Sequence, residues 1–102
     1  MSIAFGILKE ELNRLKKLAV KFNREIKKLP QGSLSLKKRY NKNFAYLVFR
    51  VKDKVIFKYL GNPDSQKVAA ILEKLKQKRQ YQQKLHSVQN DIKNISKAIH
   101  AG

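Results

Sequence analysis

Apolar residues in the first third of the chain recur at alternating spacings of three and four positions. The series is Phe5, Leu8, Leu12, Leu15, Ala19, Phe22, Ile26 and Leu29. This spacing places one apolar stripe along a helix and is typical of the a/d seam of a coiled coil. Pro30 ends the pattern because its ring disfavours helical geometry at the preceding residue and because it lacks an amide donor. We predict a helix over residues 2–29, with Ser2 as its N-terminal cap.

A second helical pattern follows the motif Asn62-Pro63-Asp64. In this motif Asn62 is a suitable N-cap, the proline suits the first helical position, and the aspartate favours the helix dipole. Two apolar series follow, separated by a polar break at residues 76–80. They are Val68, Ile71, Leu72 and Leu75, then Tyr81, Leu85, Val88, Ile92, Ile95 and Ile99. We predict a helix over residues 63–99 that buries both series, with a register shift or a loosening at the break.

A hairpin segment over residues 33–61 joins the two helical patterns, so the helices most simply fold back on each other in antiparallel orientation. Their seams would then face each other. Ile7, Leu18 and Val20 lie outside the first seam. We therefore expect the first helix to bury a wider stripe than a two-stranded coiled coil covers.

Between the helices, residues 33–61 change to a different period. β-Branched and aromatic residues dominate residues 44–51 and 55–60, and the polar Lys52-Asp53-Lys54 joins the two runs. This pattern predicts a β-hairpin. Leu34 and Leu36 enter an extended segment before the hairpin, which leaves a third short strand as an alternative.

Alternation along the first hairpin strand separates two faces. The face with Ala45, Leu47, Phe49 and Val51 is the better core candidate. An even-length connection would add Ile56, Lys58 and Leu60 to that face, whereas an odd-length one would add Val55, Phe57 and Tyr59, so the register stays open. By residue type we expect Phe49 and Phe57 in the core and Tyr40 at the surface.

Composition narrows the fold class. The chain has 102 residues and a hydrophobic fraction of 42%, which is ordinary for a folded domain. We expect one domain over residues 1–102 in the α+β class, with two long antiparallel, coiled-coil-like helices and a β-hairpin, or three short strands, between them. A domain this small leaves about a third of its unfolded-chain surface in water. A second copy would thicken the core, so a homodimer is favoured over a monomer.

Charge indicates the class of partner. With 24 Lys and Arg against 7 Asp and Glu, the net charge is +17. Such an excess favours a polyanion, with nucleic acid ahead of an anionic membrane surface. The sequence shows neither an apolar run of membrane-spanning length nor a signal-peptide pattern, so we expect a cytoplasmic protein without a membrane partner.

The densest positive charge lies in and just before the hairpin, where aromatic residues are interleaved with it. The candidate nucleic-acid-binding residues are Lys37, Lys38, Arg39, Tyr40, Lys42, Arg50, Lys52, Lys54, Lys58 and Tyr59. Cationic side chains pair with phosphates, and aromatic rings stack on bases. Phe44 and Tyr46 belong to the same mixture, although hairpin aromatics serve equally well as core. DNA and RNA are not distinguished by this pattern.

Catalytic chemistry finds little support. Each of the seven carboxylates has an ordinary role available as a surface charge, cap or turn residue. His86 and His100 lie far apart on the second helix without other ligands at metal-binding spacing, and the chain has no cysteine. We therefore expect a protein that is not an enzyme and that has no cofactor and no metal site.

The hairpin region resembles an uncharacterised family of small basic bacterial and archaeal proteins that often accompany mobile elements. The residues that carry the likeness are Gly32-Ser33-Leu34, the run 46–50, Lys54, and Lys58-Tyr59-Leu60-Gly61. The resemblance implies a helix, hairpin, helix architecture and an accessory factor of a mobile element or phage. A cysteine cluster found in some relatives has no counterpart here.

Two further classes of function stay open. The helical seams would also suit a protein-interaction module or a small inhibitor of a larger nucleoprotein complex, such as a bacterial defence effector. A helix lying on a membrane surface ranks third, because the two apolar stripes can bury against each other.

Overall fold

The structure is a computed structural model that describes residues 3–101. Its elements in chain order are α1 (Ile3–Lys27), β1 (Ser33–Arg39), β2 (Lys42–Val51), β3 (Lys54–Gly61) and α2 (Gln66–Ala101). The predicted α+β class, two long helices packed together with strands between them in sequence, is confirmed, and the third strand is present. The predicted cap Ser2 lies outside the described residues.

The chain forms two compact units. One consists of α1 with the part of α2 from Arg79 onward, and the other is Leu29–Lys78, which holds the sheet and the first turns of α2. The expectation that they fold as one domain stays a prediction.

The helix-pair unit is antiparallel. The ring centroids of Phe22 and Tyr81 lie 6.0 Å apart. Nearer the start of α1, Arg14 hydrogen-bonds Glu11 on its own helix, which raises the pKa of the Arg14 guanidinium, and Asp91 of α2 adds a smaller contribution of the same sign. Because positions 22 and 14 meet positions 81 and 91, the helices run in opposite directions.

Burial within this unit follows the two seams. Leu15 and Val88 are buried, and the other residues of both predicted seams are half-buried. Leu18 is half-buried beside the seam, but Ile7 and Val20 are exposed. The expectation of a wider buried stripe is therefore wrong for these two residues, because a single partner helix covers only a narrow stripe.

α2 begins at Gln66, about one helical turn later than the predicted start at residue 63. Asn62 is not the N-cap: its Oδ1 accepts from the Asp64 amide at 2.9 Å, which makes a turn. Ser65 caps the helix instead, since its Oγ accepts from the Val68 amide at 3.3 Å. Pro63 thus lies inside the turn rather than at the first helical position.

The apolar stripe of α2 shifts register at the polar break, which is one of the two alternatives that the sequence leaves open. Half-buried positions 75, 78 and 81 succeed one another at spacings of three. Lys78 occupies the break, and its Nζ donates to the Pro30 carbonyl oxygen at 3.2 Å. Leu72 is exposed, which corrects the expectation that it is buried, because it lies to one side of this stripe.

The sheet has the order β1-β2-β3 with antiparallel pairing throughout. Both of its turns contain two residues. In the first turn Tyr40 and Asn41 take left-handed φ values of 53° and 62°, and in the second Lys52 takes a φ of 54°. The two consecutive positive φ values of the first turn match a type I′ hairpin turn, whose twist suits the flanking strands.

The second turn decides the register that the sequence leaves open. Because the turn is of even length, Phe49 lies opposite Ile56 and Leu47 lies opposite Lys58. Across a β-bulge, Leu60 joins the same face. Phe57 therefore lies on the other face, and its expected place in the core is wrong.

The first turns of α2 cover one face of the sheet and form the core of this unit. The buried residues are Ala45, Leu47, Leu60 and Val68, with Leu34, Phe49, Ile71 and Leu75 half-buried around them. The β2 face predicted as core is thus confirmed for Ala45, Leu47 and Phe49, but Val51 is exposed because it lies at the end of the strand beyond the cover of α2.

Gly32 provides a test of this packing. Its φ is +105°, and a Cβ built there would overlap the Val48 carbonyl oxygen. We expect Gly32→Ala to lower the free energy of unfolding by at least about 1–2 kcal/mol, because the left-handed conformation alone costs about that much for a residue with a Cβ. Urea denaturation followed by circular dichroism measures the change.

Gly6 of α1 is the matched control, since a Cβ there meets nothing within 4 Å. Gly6→Ala should raise the free energy of unfolding by up to about 1 kcal/mol through helix propensity. Equal stability of the Gly32→Ala variant and the wild type would contradict the close approach to Val48.

Candidate nucleic-acid interface

The face of the sheet that α2 does not cover is here called the open face. Its side chains come from alternate positions of the three strands. They are Ser33, Ser35, Lys37, Arg39, Lys42, Phe44, Tyr46, Val48, Arg50, Val55, Phe57 and Tyr59. Phe57 is 48% exposed and Tyr59 is 56% exposed. Large aromatic side chains therefore lie in contact with solvent on this face.

Four of these rings form a continuous group, the aromatic cluster, which consists of Phe44, Tyr46, Phe57 and Tyr59. Tyr46 and Tyr59 are directly paired across strands, with ring centroids 5.5 Å apart. Tyr46 meets the edge of Phe57 at 6.4 Å, and Phe44 meets Tyr59 at 6.2 Å. These are favourable aromatic distances, so the rings hold one another in place without a covering layer.

Lys37 lies across the aromatic cluster. Its Nζ is 3.8 Å from the Phe57 ring centroid and 5.4 Å from that of Tyr46. At these distances the ammonium group is attracted by the negative faces of the rings. The half-buried Lys37 stem thus crosses from β1 over β2 to β3, and one positive charge stands directly above the rings.

Further cations stand at both ends of the open face. Along β2 the outward positions run from Lys42 through Phe44, Tyr46 and Val48 to Arg50. This is a track of about 27 Å at the rise of an extended strand. Rings occupy its middle and exposed cations its ends.

The ten candidate residues from the sequence do not form one patch. Lys37, Arg39, Lys42, Arg50 and Tyr59 lie on the open face. The remaining residues are the turn residues Tyr40 and Lys52, and Lys38, Lys54 and Lys58, whose positions alternate onto the covered face. Tyr40 is 95% exposed, as expected. Successive side chains of a strand point to opposite faces of the sheet, so Lys37, Lys38 and Arg39 do not lie together on one face.

Three members of the aromatic cluster are absent from that candidate set. By sequence, Phe44 and Tyr46 suit the core equally well, and residue type favours the core for Phe57. The signal that finds Phe57 is the length of the second turn, because a two-residue connection places it beside Val48 and diagonal to Tyr46.

Few carboxylates lie near the sheet to neutralise the positive charge of its Lys and Arg side chains. The ion pairs found in residues 3–101 are Arg14–Glu11 on α1 and Lys28–Glu25 at its C-terminal end, so neither involves the sheet. In the unit Leu29–Lys78 the carboxylates are Asp53, Asp64 and Glu73, and Lys and Arg outnumber them several-fold. The open face therefore carries an uncompensated positive charge.

The described part of the chain contains neither a metal-ligand cluster nor a membrane-spanning helix. In residues 3–101 no three His, Asp or Glu side chains come together to hold a metal ion. Neither α1 nor α2 is apolar enough over sufficient length to cross a membrane.

No model of a known protein family, no curated protein and no solved structure matches this chain significantly. The resemblance seen in the hairpin sequence stays a prediction. The surface itself is thus the guide to function.

Proposed function

We propose that this protein binds single-stranded nucleic acid on the open face of its sheet. Bases stack on the aromatic cluster, and phosphates pair with Lys37, Arg39, Lys42 and Arg50. The observation that carries the proposal is a group of four mutually supporting rings between unneutralised cations, in which Phe57 and Tyr59 are exposed and Phe44 and Tyr46 are half-buried. Proteins that bind single strands combine these two features, an aromatic surface for bases and a positive path for the backbone.

A single strand suits this surface better than a duplex. Rings can stack only on bases whose faces are accessible, and in a duplex those faces are covered by neighbouring base pairs. Duplex binding would use the cations and leave the aromatic cluster in water.

Lys37 would change partners on binding. In the free protein its ammonium group covers the Phe57 ring at 3.8 Å. A base stacking on that ring displaces the ammonium group toward a neighbouring phosphate. The exchange of a cation–π contact for a phosphate pair keeps the charge satisfied in both states.

Opposite faces of the same sheet provide a charge-matched test. Replacing Arg39, Lys42 and Arg50 with Ala should flatten the log-log salt dependence of single-strand affinity by about two units, since each phosphate contact contributes about 0.7. The control replaces the covered-face residues Lys38, Lys54 and Lys58 with Ala, with the same change in charge and all six side chains exposed. Fluorescence anisotropy over a salt series measures both slopes.

Equal flattening by the two triple variants would indicate diffuse attraction rather than a defined face. A larger effect of the covered-face triple would place the nucleic acid on the wrong side for this proposal. Failure of the wild-type chain to bind the labelled strand at low salt would contradict the proposed function altogether.

Removal of one ring tests stacking separately from charge. Phe57→Ala should weaken single-strand binding by about 1–3 kcal/mol, roughly five- to 150-fold, while Phe57→Tyr keeps most of the affinity. Ile56→Ala is the control, since Ile56 is the adjacent β3 residue, 37% exposed, on the opposite face. Unchanged affinity of a folded Phe57→Ala variant would contradict stacking on the cluster.

A further inference from the structure

An open hollow lies on the surface of α1, in the helix-pair unit. It is lined by Lys16, Lys17, Val20, Lys21 and Arg24, and none of these residues belongs to the open face of the sheet. Its volume is about 390 Å³. A single water molecule needs only about 10–15 Å³, so the hollow fits part of an extended ligand rather than one ion.

Helical spacing places these five residues on one side of α1. Positions 16, 20 and 24 follow one another at steps of four, and positions 17, 21 and 24 at steps of four and three. The seam lies on the other side, where the ring of Phe22 packs against Tyr81. All five residues of the hollow are exposed. Because valine is shorter than lysine and arginine, four cationic side chains surround an apolar floor at Val20.

Ion pairs do not compensate the positive charge of the hollow. Among residues 3–101, Glu11 pairs with Arg14 and Glu25 pairs with Lys28, and none of these four residues lines the hollow. The sequence has no Asp or Glu between Glu11 and Glu25. The four cations of the hollow therefore repel one another in the free protein, and an anionic ligand would relieve that repulsion.

α2 contributes a different surface to the same unit. Its exposed residues there include the uncharged Gln83, Asn90 and Asn94. Over residues 80–101 it carries three lysines and one aspartate, whereas residues 12–24 of α1 carry five Lys and Arg and no carboxylate. The positive charge of the helix pair is thus concentrated on α1.

The residue types of the hollow select among polyanions. No aromatic ring lines it, so the bases of a single strand would gain no stacking there. Val20 is its only apolar lining residue, whereas a helix that lies on a membrane needs a broad apolar face. The hollow therefore attracts a ligand through its phosphates alone. A DNA duplex presents phosphates most densely, at one charge per about 1.7 Å of its axis.

We propose that this side of α1, here called the helix face and defined by the five lining residues, binds duplex DNA across its major groove. Lys16 and Arg24 are eight positions apart, which is about 12 Å along a helix axis. The major groove of B-form DNA is also about 12 Å wide. Lys16 and Lys17 thus meet one phosphate backbone, and Lys21 and Arg24 meet the other.

Two lysine pairs with the same helical spacing give a matched test. Lys17→Ala with Lys21→Ala removes two charges from the helix face, and Lys93→Ala with Lys97→Ala removes two from α2. Within each pair the lysines are four positions apart, and all four are exposed. Alanine favours the helix, so both variants should fold, and circular dichroism checks this.

The full chain is titrated into a labelled DNA duplex of roughly 20 base pairs, about two helical turns, by fluorescence anisotropy over a salt series. We expect the helix-face variant to flatten the log-log salt dependence of duplex affinity by about two units, since each phosphate contact contributes about 0.9. The α2 variant should flatten it by less than about one unit.

Three results would overturn the helix face as a duplex site. Equal flattening by the two variants would indicate diffuse attraction along the helix pair. A larger change per removed charge on replacing Arg39, Lys42 and Arg50 with Ala would place the duplex on the sheet. Reduced sedimentation of the helix-face variant with phosphatidylserine vesicles, with duplex binding unchanged, would assign the surface to lipid.

Single-strand titrations separate this site from the proposed function. In them the helix-face variant should keep the salt dependence of the wild type, and an equal change toward single strand and duplex would overturn a distinct duplex site. Failure of the wild type to bind duplex would overturn the helix face alone. Failure of the wild type to bind a single strand, with duplex binding intact, would overturn only the proposed function.

Discussion

The first turns of α2 cover only one of the two faces of the sheet. The character of the protein surface depends on this constraint. In the unit Leu29–Lys78, the first turns of α2 bury the face of β2 that holds Ala45 and Leu47. Side chains alternate along a strand, so Phe44 and Tyr46 must point the other way. Full burial of a side chain of this size stabilises by about 1.5–3 kcal/mol, and the open face forgoes part of that stabilisation at several positions. Exposed apolar groups on a folded domain often belong to interaction sites, and the proposed function rests on this general relation.

Lys and Arg side chains protect the exposed parts of the sheet in two ways. Lys37 shields the rings of Phe57 and Tyr46 in the free protein. Exposed Lys and Arg side chains on the edge strands β1 and β3 also discourage pairing with strands of other molecules. Of these edge-strand side chains, Arg39 also lies on the open face, where the proposed function places the phosphate backbone.

Periodic features of the sequence predict most of this fold. The seams from Phe5 and from Tyr81 give the helix pair, and the alternation around Leu47 identifies the core face of β2. What the pattern leaves open depends on single residues. The helix starts after Ser65 rather than at Pro63 because the Asn62 side chain closes a turn, a choice between two competent caps.

The candidate site was only partly predictable for the same reason. The density of positive charge indicates that the candidate site lies in the hairpin region. The face on which each residue lies depends on the length of the turn. Without a glycine in Lys52-Asp53-Lys54, that length is not readable from residue type. A change of one residue in the turn would exchange Phe57 with Ile56, and with it the identity of the open face.

Nuclear magnetic resonance on the isotope-labelled chain, titrated with a short single-stranded oligonucleotide, tests the central claim most directly. Ring signals of Phe44, Tyr46, Phe57 and Tyr59 should shift together and saturate, while the methyl signals of Leu47 and Val68 beneath the covered face stay nearly unchanged. Saturable shifts confined to exposed residues of α1 or α2, with the four rings unmoved, would contradict binding on the open face.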